Sequence, residues 1–203
     1  DGVHHLIVKQ STLESRSKGS FTLDLNRYKL EYDAMKICAA IVPDLIPKLY
    51  DCDEENRVFI TEDVSYLRIS RFQLLKGVTY PKLADQIARY MAATQFYTSE
   101  YYLDTKRFRD LSVHFMNTTM RKIMEVGMFL TSVTPEDTVG RPLDPEFVTF
   151  SKRICADPAV LLARQKLRHL FMSKGECLIH CDLHTSNIFA SQTEAKVIDM
   201  EYA

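Results

Sequence analysis

Tryptophan is absent from the 203 residues, and glycine and proline number only 6 and 7. So little of either excludes a collagen-like chain or a Gly/Pro-rich disordered one. Neither sign of charge is in surplus, since 26 Lys and Arg face 27 Asp and Glu. A partner bound mainly through excess basic charge, nucleic acid above all, is therefore not expected. No apolar run approaches the roughly 20 residues that span a bilayer, and the opening DGVHHLIVKQ lacks the order of a secretory signal. Membrane insertion and export are not expected. The 5 cysteines, Cys38, Cys52, Cys155, Cys177 and Cys181, form no CxxC pair and no zinc-type spacing. Reduced thiols in the cytoplasm fit that scatter.

What is present suits a globular protein: 46% of the residues are hydrophobic and 26% charged, enough to bury a sizeable core. There is no internal repeat and no low-complexity tract. The chain opens at Asp1, runs almost at once into Leu6, Ile7 and Val8, and closes on Ala203 right after VIDMEY. Both ends carry strand-like sequence rather than tails, which reads as a piece of a longer protein.

HHLIVKQ predicts a short strand that ends at the polar stretch Ser11 to Gly19. From Asp24 to Ala40 the spacing of Leu23, Leu30, Ala34, Ile37 and Ile41 predicts a helix, with Thr22 or Asp24 as its cap and Pro43 past its end. IPKLY, the turn DCDEEN and RVFITEDV then read as a hairpin ending near Glu62 and Asp63. From Tyr80 the period changes to helical, with Leu83, Ile87, Met91 or Tyr90, Thr94 and Tyr97 on one face and Pro81 near the first turn. Further helices are expected from Phe108 to Leu130 and, beyond TPEDTVGRPLDPE, at Glu146 to Cys155 and Pro158 to Phe171. The rings of Phe96, Tyr97, Phe115 and Phe171 are expected in the core. The last block, from Gly175, reads as a loop followed by a small hairpin, and the fold class is α+β.

That block also holds the densest chemistry: His180, Asp182, His184, Asn187, Asp199 and Glu201. Asp182 and Asn187 sit in a turn between the apolar runs Leu178–Ile179 and Ile188–Phe189. A carboxylate there can orient a substrate hydroxyl or take its proton, and an Asn carbonyl five residues on can reach a divalent ion. Asp199 ends an apolar strand and Glu201 follows two residues later, so both can converge on one ion if the backbone turns. Oxygen ligands of this kind suit Mg²⁺ rather than zinc, and the set points to phosphoryl transfer. Each acid taken singly is an ordinary turn residue; the joint spacing is what carries the reading.

HCDLHTSN followed by KVIDMEYA resembles the catalytic and metal loops of the kinase-like phosphotransferases that include aminoglycoside and choline kinases. LIVKQ, FTLDLNR, VFITEDVS, YPKLADQIARYMAATQFYTS and LIHCDLHTSNIFAS are similar, in order, to segments of the methylthioribose kinase branch of that family. The resemblance implies a protein-kinase-like two-lobe fold, incomplete at both ends: a partial N-terminal lobe over 1–63 and a mainly helical lobe over 64–203. It implies ATP and Mg²⁺ as cofactors, a small alcohol or sugar as substrate, and a homodimer as the assembly.

Residue by residue, the resemblance implies that Asp182 is the catalytic acid, that Asp199 and Glu201, with Asn187, bind metal, and that His180 braces the catalytic loop. Lys9 matches the lysine on the ATP phosphates, although a lone Lys leaving a strand is ordinarily a solvated edge residue. Glu31 is its expected ionic partner, with Glu14 and Asp33 also available. Glu62, Asp63 and Val64 match the segment linking the lobes, where backbone groups would bind adenine. The implied reaction is transfer of the ATP γ-phosphoryl group to the 1-hydroxyl of 5-methylthioribose in methionine salvage. The alternatives are another small acceptor such as an aminoglycoside, choline or a homoserine-like alcohol, or a non-catalytic descendant of such a kinase. The family branch carries Gly where this chain has Cys181, Gly-Ser at Ser186 and Asn187, and Pro at Met200; Cys181 is read as a small buried filler. No Gly-rich loop precedes Lys9 and no helical portion follows Ala203, so a chain of this length alone is expected to be weak or inactive.

Overall fold

Strand β1 (Leu6–Gln10) forms where long and β-branched apolar residues stand together. The structure, a computed structural model, describes residues 5–12, 23–131 and 144–203, and its architecture is mixed α+β. Thr22, Glu14 and most of TPEDTVGRPLDPE lie outside the described residues. The described part divides into two compact units, the first built from 5–12, 25–117 and 176–203 and the second chiefly from 118–131 and 144–175.

In the first unit β1 pairs antiparallel with β3 (Val58–Glu62), and β3 pairs with β2 (Leu49–Asp53), giving the order β1-β3-β2. The expected hairpin is β2–β3, with its turn closed by Asp53, which accepts from the Asn56 N–H at 3.0 Å. Burial alternates along β3, and Phe59 and Thr61 face the core. Helix α1 (Arg27–Ile41) covers that face, with Tyr32 5.9 Å from the Phe59 ring. It begins three residues later than the expected Asp24, at an Asn26 whose side chain makes no capping bond, so tertiary packing rather than a cap sets its start. Lys9 stands directly opposite Phe59 in the β1–β3 register. Opposed residues in an antiparallel pair share a face, so the register aims Lys9 at α1.

A 3₁₀ turn (Pro43–Leu45) ends α1. Two elements that no periodicity announces follow β3: the two-residue strand β4 (Arg68–Ile69) and the short helix α2 (Ser70–Leu74), which is tied in by the buried Ser70 hydroxyl donating to the Ile188 carbonyl at 2.8 Å. Helix α3 (Leu83–Tyr97) buries Tyr90 and Thr94, while Met91 is 42% exposed, so Tyr90 is the inward residue of the two. The expected core rings at Phe96 and Tyr97 are 50% and 43% exposed. They stack instead on Tyr102 at the surface, with centroids 5.8 and 4.7 Å from its ring. Phe115 is buried as expected.

One helix from Phe108 to Leu130 does not form. Helix α4 (Thr105–His114), capped by Asp104, stops before Asn117, whose φ of 40° is left-handed and ends a helix. In the second unit α5 (Thr118–Met124) passes into a π-helical turn over Glu125–Thr131. Helices α6 (Pro145–Ala156) and α7 (Pro158–Ser173) lie close to the expected bounds, each with Pro in its first turn and an Asp cap, Asp144 and Asp157. Arg168 pairs with Glu125 at 2.6 Å and Phe129 packs on Phe171 at 5.4 Å within this unit.

The last block returns to the first unit as the hairpin β5 (Ile188–Ala190) and β6 (Ala195–Val197), in a sheet of order β4-β5-β6. Ala195, Val197 and Met200 join Ala34, Leu45 and Phe59 in one hydrophobic cluster. Among the described residues no helix is long and apolar enough to cross a membrane. Phe59→Ala should lower unfolding free energy by about 3–5 kcal/mol in chemical denaturation. Val8→Ala, at a position 63% exposed, should cost less than about 1 kcal/mol. Equal costs would contradict the facing of this sheet.

Candidate active site

The buried side of α1 carries Arg27, Glu31, Ala34, Met35 and Cys38. Arg27 and Glu31 are four residues apart, so both project from that face one turn above the other. Glu31 Oε1 accepts from Lys9 Nζ at 2.6 Å. The same ammonium also donates to Asp199, and Arg27 Nε donates to Glu201 at 3.0 Å. One helical face thus engages β1 through Lys9 and the segment after β6 through Glu201. Of the other acids open to Lys9 by sequence, Asp33 pairs with His114 at 2.9 Å, and Glu14 lies outside the described residues.

His180 is buried, and both of its ring nitrogens are used. Nε2 lies 2.9 Å from the Ile198 carbonyl, and Nδ1 accepts from the Asp182 N–H at 3.3 Å. A ring that donates from Nε2 and accepts at Nδ1 is the neutral tautomer. Burial pushes its pKa down, which agrees with that state. The imidazole therefore spans from the loop before β5 to the end of β6.

Asn187 fixes Asp182 from the other side, its Nδ2 donating to the Asp182 carbonyl at 3.0 Å and to its carboxylate at 3.3 Å. His184, whose Nδ1 accepts from the Ser186 N–H at 3.1 Å, presents Nε2 to the same carboxylate at 3.5 Å. Cys181 is partly exposed rather than buried, and at φ 64° it holds the left-handed conformation that glycine adopts most readily. Asp199 is left-handed too, at φ 70°. That twist turns the chain sharply after β6, and in this structure Asp199 bonds Lys9 while Glu201 bonds Arg27.

Four carboxylates, those of Glu31, Asp182, Asp199 and Glu201, meet two cations, Lys9 and Arg27, in this cluster. Desolvation opposes the Lys9 ammonium, but Glu31 and Asp199 outweigh it and hold its pKa up at about 12. Burial pushes Glu31 up to about 7 against the pull of Lys9. Burial likewise raises Asp182 and Glu201, each with Asp199 adding to the effect. The ammonium stays charged, and the excess of acids shows as raised proton affinity on the carboxyl groups.

The remaining expected residues lie at the end of β3. Glu62 accepts from the Lys48 N–H at 3.0 Å, Asp63 closes a turn by accepting from the Ser65 N–H at 2.8 Å, and Val64 is buried. These side chains serve the local backbone. Among the described residues no group of three or more His, Cys, Asp or Glu is gathered as for a metal ion. Arg27 escaped the sequence reading, since an Arg opening a helix looks solvent-facing and its partner is 174 residues away.

No family model matches the chain. It is 36% identical over 204 residues to the methylthioribose kinase of Bacillus cereus (strain ATCC 10987 / NRS 248), covering 100% of this chain and 51% of that protein. The methylthioribose kinase of Geobacillus sp. (strain WCH70) is 35% identical over 199 residues, 98% of this chain and 49% of its own length. That of Bacillus anthracis (strain CDC 684 / NRRL 3495) is 36% identical over 204 residues, again 100% and 51%. The chain is a homologue of the methylthioribose kinases. It spans about half the length of the curated relatives it matches. The matches cover all or nearly all of this chain, so the matched stretch spans both halves of the ion cluster.

The neutral imidazole sets a pH dependence. His180 has a folded pKa below its unfolded one, so its contribution to stability is complete above the unfolded value of about 6.5 and is lost as pH falls toward the folded value. His180→Gln should be less stable than the parent at pH 7.5, and that gap should narrow as pH falls from 7 to 5, read by denaturant titration at each pH. A constant gap would mean that His180 titrates alike in both states.

Proposed function

We propose that the protein is part of an ATP-dependent small-molecule kinase that phosphorylates the 1-hydroxyl of 5-methylthioribose in methionine salvage. The full-span likeness to methylthioribose kinases supports the reading, together with one observation: Lys9, Glu31, Asp199 and Asp182 meet in a single cluster although they come from opposite ends of the chain. In this reading β1–β3 and α1 belong to the N-terminal lobe of a two-lobe kinase fold, and residues 64–203 begin the helical lobe. The backbone from Glu62 to Val64 is the adenine contact.

The charge balance fits a divalent cation: the four acids outnumber Lys9 and Arg27, and the surplus is negative. Asp199, Glu201 and the Asn187 side-chain oxygen would hold the ion, the Asn187 amide nitrogen being committed to Asp182. Bound there, Mg²⁺ neutralises charge on the phosphate oxygens. Lys9, steadied by Glu31, aligns the phosphates as a point charge.

Asp182 orients the acceptor hydroxyl and takes its proton as the oxygen attacks the γ-phosphorus. The O–H bond breaks, the new P–O bond forms, and the bond to the β-phosphate oxygen breaks as ADP leaves. Burial raises the proton affinity of Asp182, which suits that task. The His180 and Asn187 bonds hold the carboxylate in place.

ADP release by the full-length protein with Mg²⁺ and a panel of methylthioribose, choline, homoserine and an aminoglycoside should respond to methylthioribose. Asp182→Asn should lower turnover by about 10²-fold or more while nucleotide affinity changes little. Parent-like turnover in Asp182→Asn would overturn the catalytic assignment, and release driven by another acceptor would reassign the substrate.

A further inference from the structure

Asn117 joins two features that chain position does not connect. It sits in the left-handed conformation, φ 40°, just past the end of α4, where Asn serves as a helix terminator. Its side chain does something a terminator does not require. Nδ2 donates to the Glu201 carbonyl at 3.2 Å and to the Ala203 carbonyl at 3.0 Å. The residue is only 9% exposed, and its Oδ1 is buried with no hydrogen-bond partner among the described residues. A buried, unpaired amide oxygen is costly. The amide is oriented by the two carbonyls alone, and the orphaned oxygen is the consequence.

The segment so held, Asp199–Ala203, packs Met200 and Ala203 into the hydrophobic cluster and pairs Asp199 with Lys9. Asp199 turns left-handed, the Ala203 N–H closes a turn onto the Met200 carbonyl at 3.1 Å, and Arg27 holds the Glu201 side chain. The Arg27 bond reaches a carboxylate that can rotate about its own side-chain torsions, whereas the Asn117 bonds reach the backbone from which that carboxylate projects. Fixing the Glu201 and Ala203 carbonyls fixes the origin of the Glu201 side chain.

We infer that Asn117 is a positioning residue: its amide clamps the Asp199–Ala203 turn and so sets where the Glu201 carboxylate stands toward a metal–nucleotide complex. The inference rests on the kinase reading, since it assigns the turn a bound divalent ion.

Two variants separate the amide from the backbone conformation. Asn117→Gly keeps the left-handed φ and deletes the clamp, while Asn117→Asp keeps the shape and sets a carboxylate oxygen against two carbonyl oxygens. Calorimetric binding of Mn²⁺–ATP should weaken about tenfold or more in both variants. ATP binding in EDTA should stay near the parent value in Asn117→Gly. Parent-like Mn²⁺–ATP affinity in Asn117→Gly overturns the inference and leaves the kinase reading standing. Equal losses with and without metal also overturn it, because they indicate general damage. A full-length parent that binds no Mn²⁺–ATP overturns the kinase reading and this inference with it.

Discussion

The Lys9 ammonium between Glu31 and Asp199 is the contact on which the rest of the site depends. A carboxylate as deeply buried as Glu31, 2% exposed, is tolerated only beside a cation, and Lys9 supplies that cation from a strand edge. Removing the lysine would leave three acids, Glu31, Asp199 and Glu201, facing one another with Arg27 as the nearest remaining counter-charge. The segment after β6 and the first strand are therefore held against α1 by electrostatics as much as by packing. Beneath them the packing is ordinary: Phe59, Ala34, Leu45 and Val197 are essentially fully buried in one cluster.

Around this triad the Asp182 loop is fixed by hydrogen bonds with the neutral side chains of His180 and Asn187, and the Glu201 turn by its ion pair with Arg27. His180 and Asn187 each touch Asp182 through neutral groups, and such bonds hold position without altering the local charge balance. The two left-handed residues, Cys181 and Asp199, stand at the entry and exit of this arrangement. Each strains a non-glycine residue where the chain must turn beside a site, a placement common to functional loops.

Much of this was legible in the sequence, and what was not has physical causes. The short apolar runs in LIVKQ and VFITE and the helical spacing after Tyr80 are local signals, and those elements form where they point. The β4 strand and α2 are too short to carry a period and exist because the Ser70 hydroxyl and neighbouring backbone bond to the loop and strand around Thr185 and Ile188. The surface position of Phe96 and Tyr97 was hidden because large rings at helical spacing usually pack inward, and here they pack on Tyr102 instead. In the site, the crowding of acids between Asp182 and Glu201 was plain, and the family resemblance singled out Lys9 and Glu31. Arg27 and Asn117 were invisible because each is an unremarkable helix-end residue until the fold brings the last five residues to it.

The four-residue interval between Arg27 and Glu31 ties two distant parts of the chain to one ruler. Their Cα atoms are separated by about 6 Å along the α1 axis, and that spacing is what Lys9 on one side and Glu201 on the other must match. A sliding or rolling of α1 shifts the anchor points of both ion pairs at once. The helix behaves as a toothed rack engaged by two pinions, so motion of the first strand and of the final turn is geared together through it.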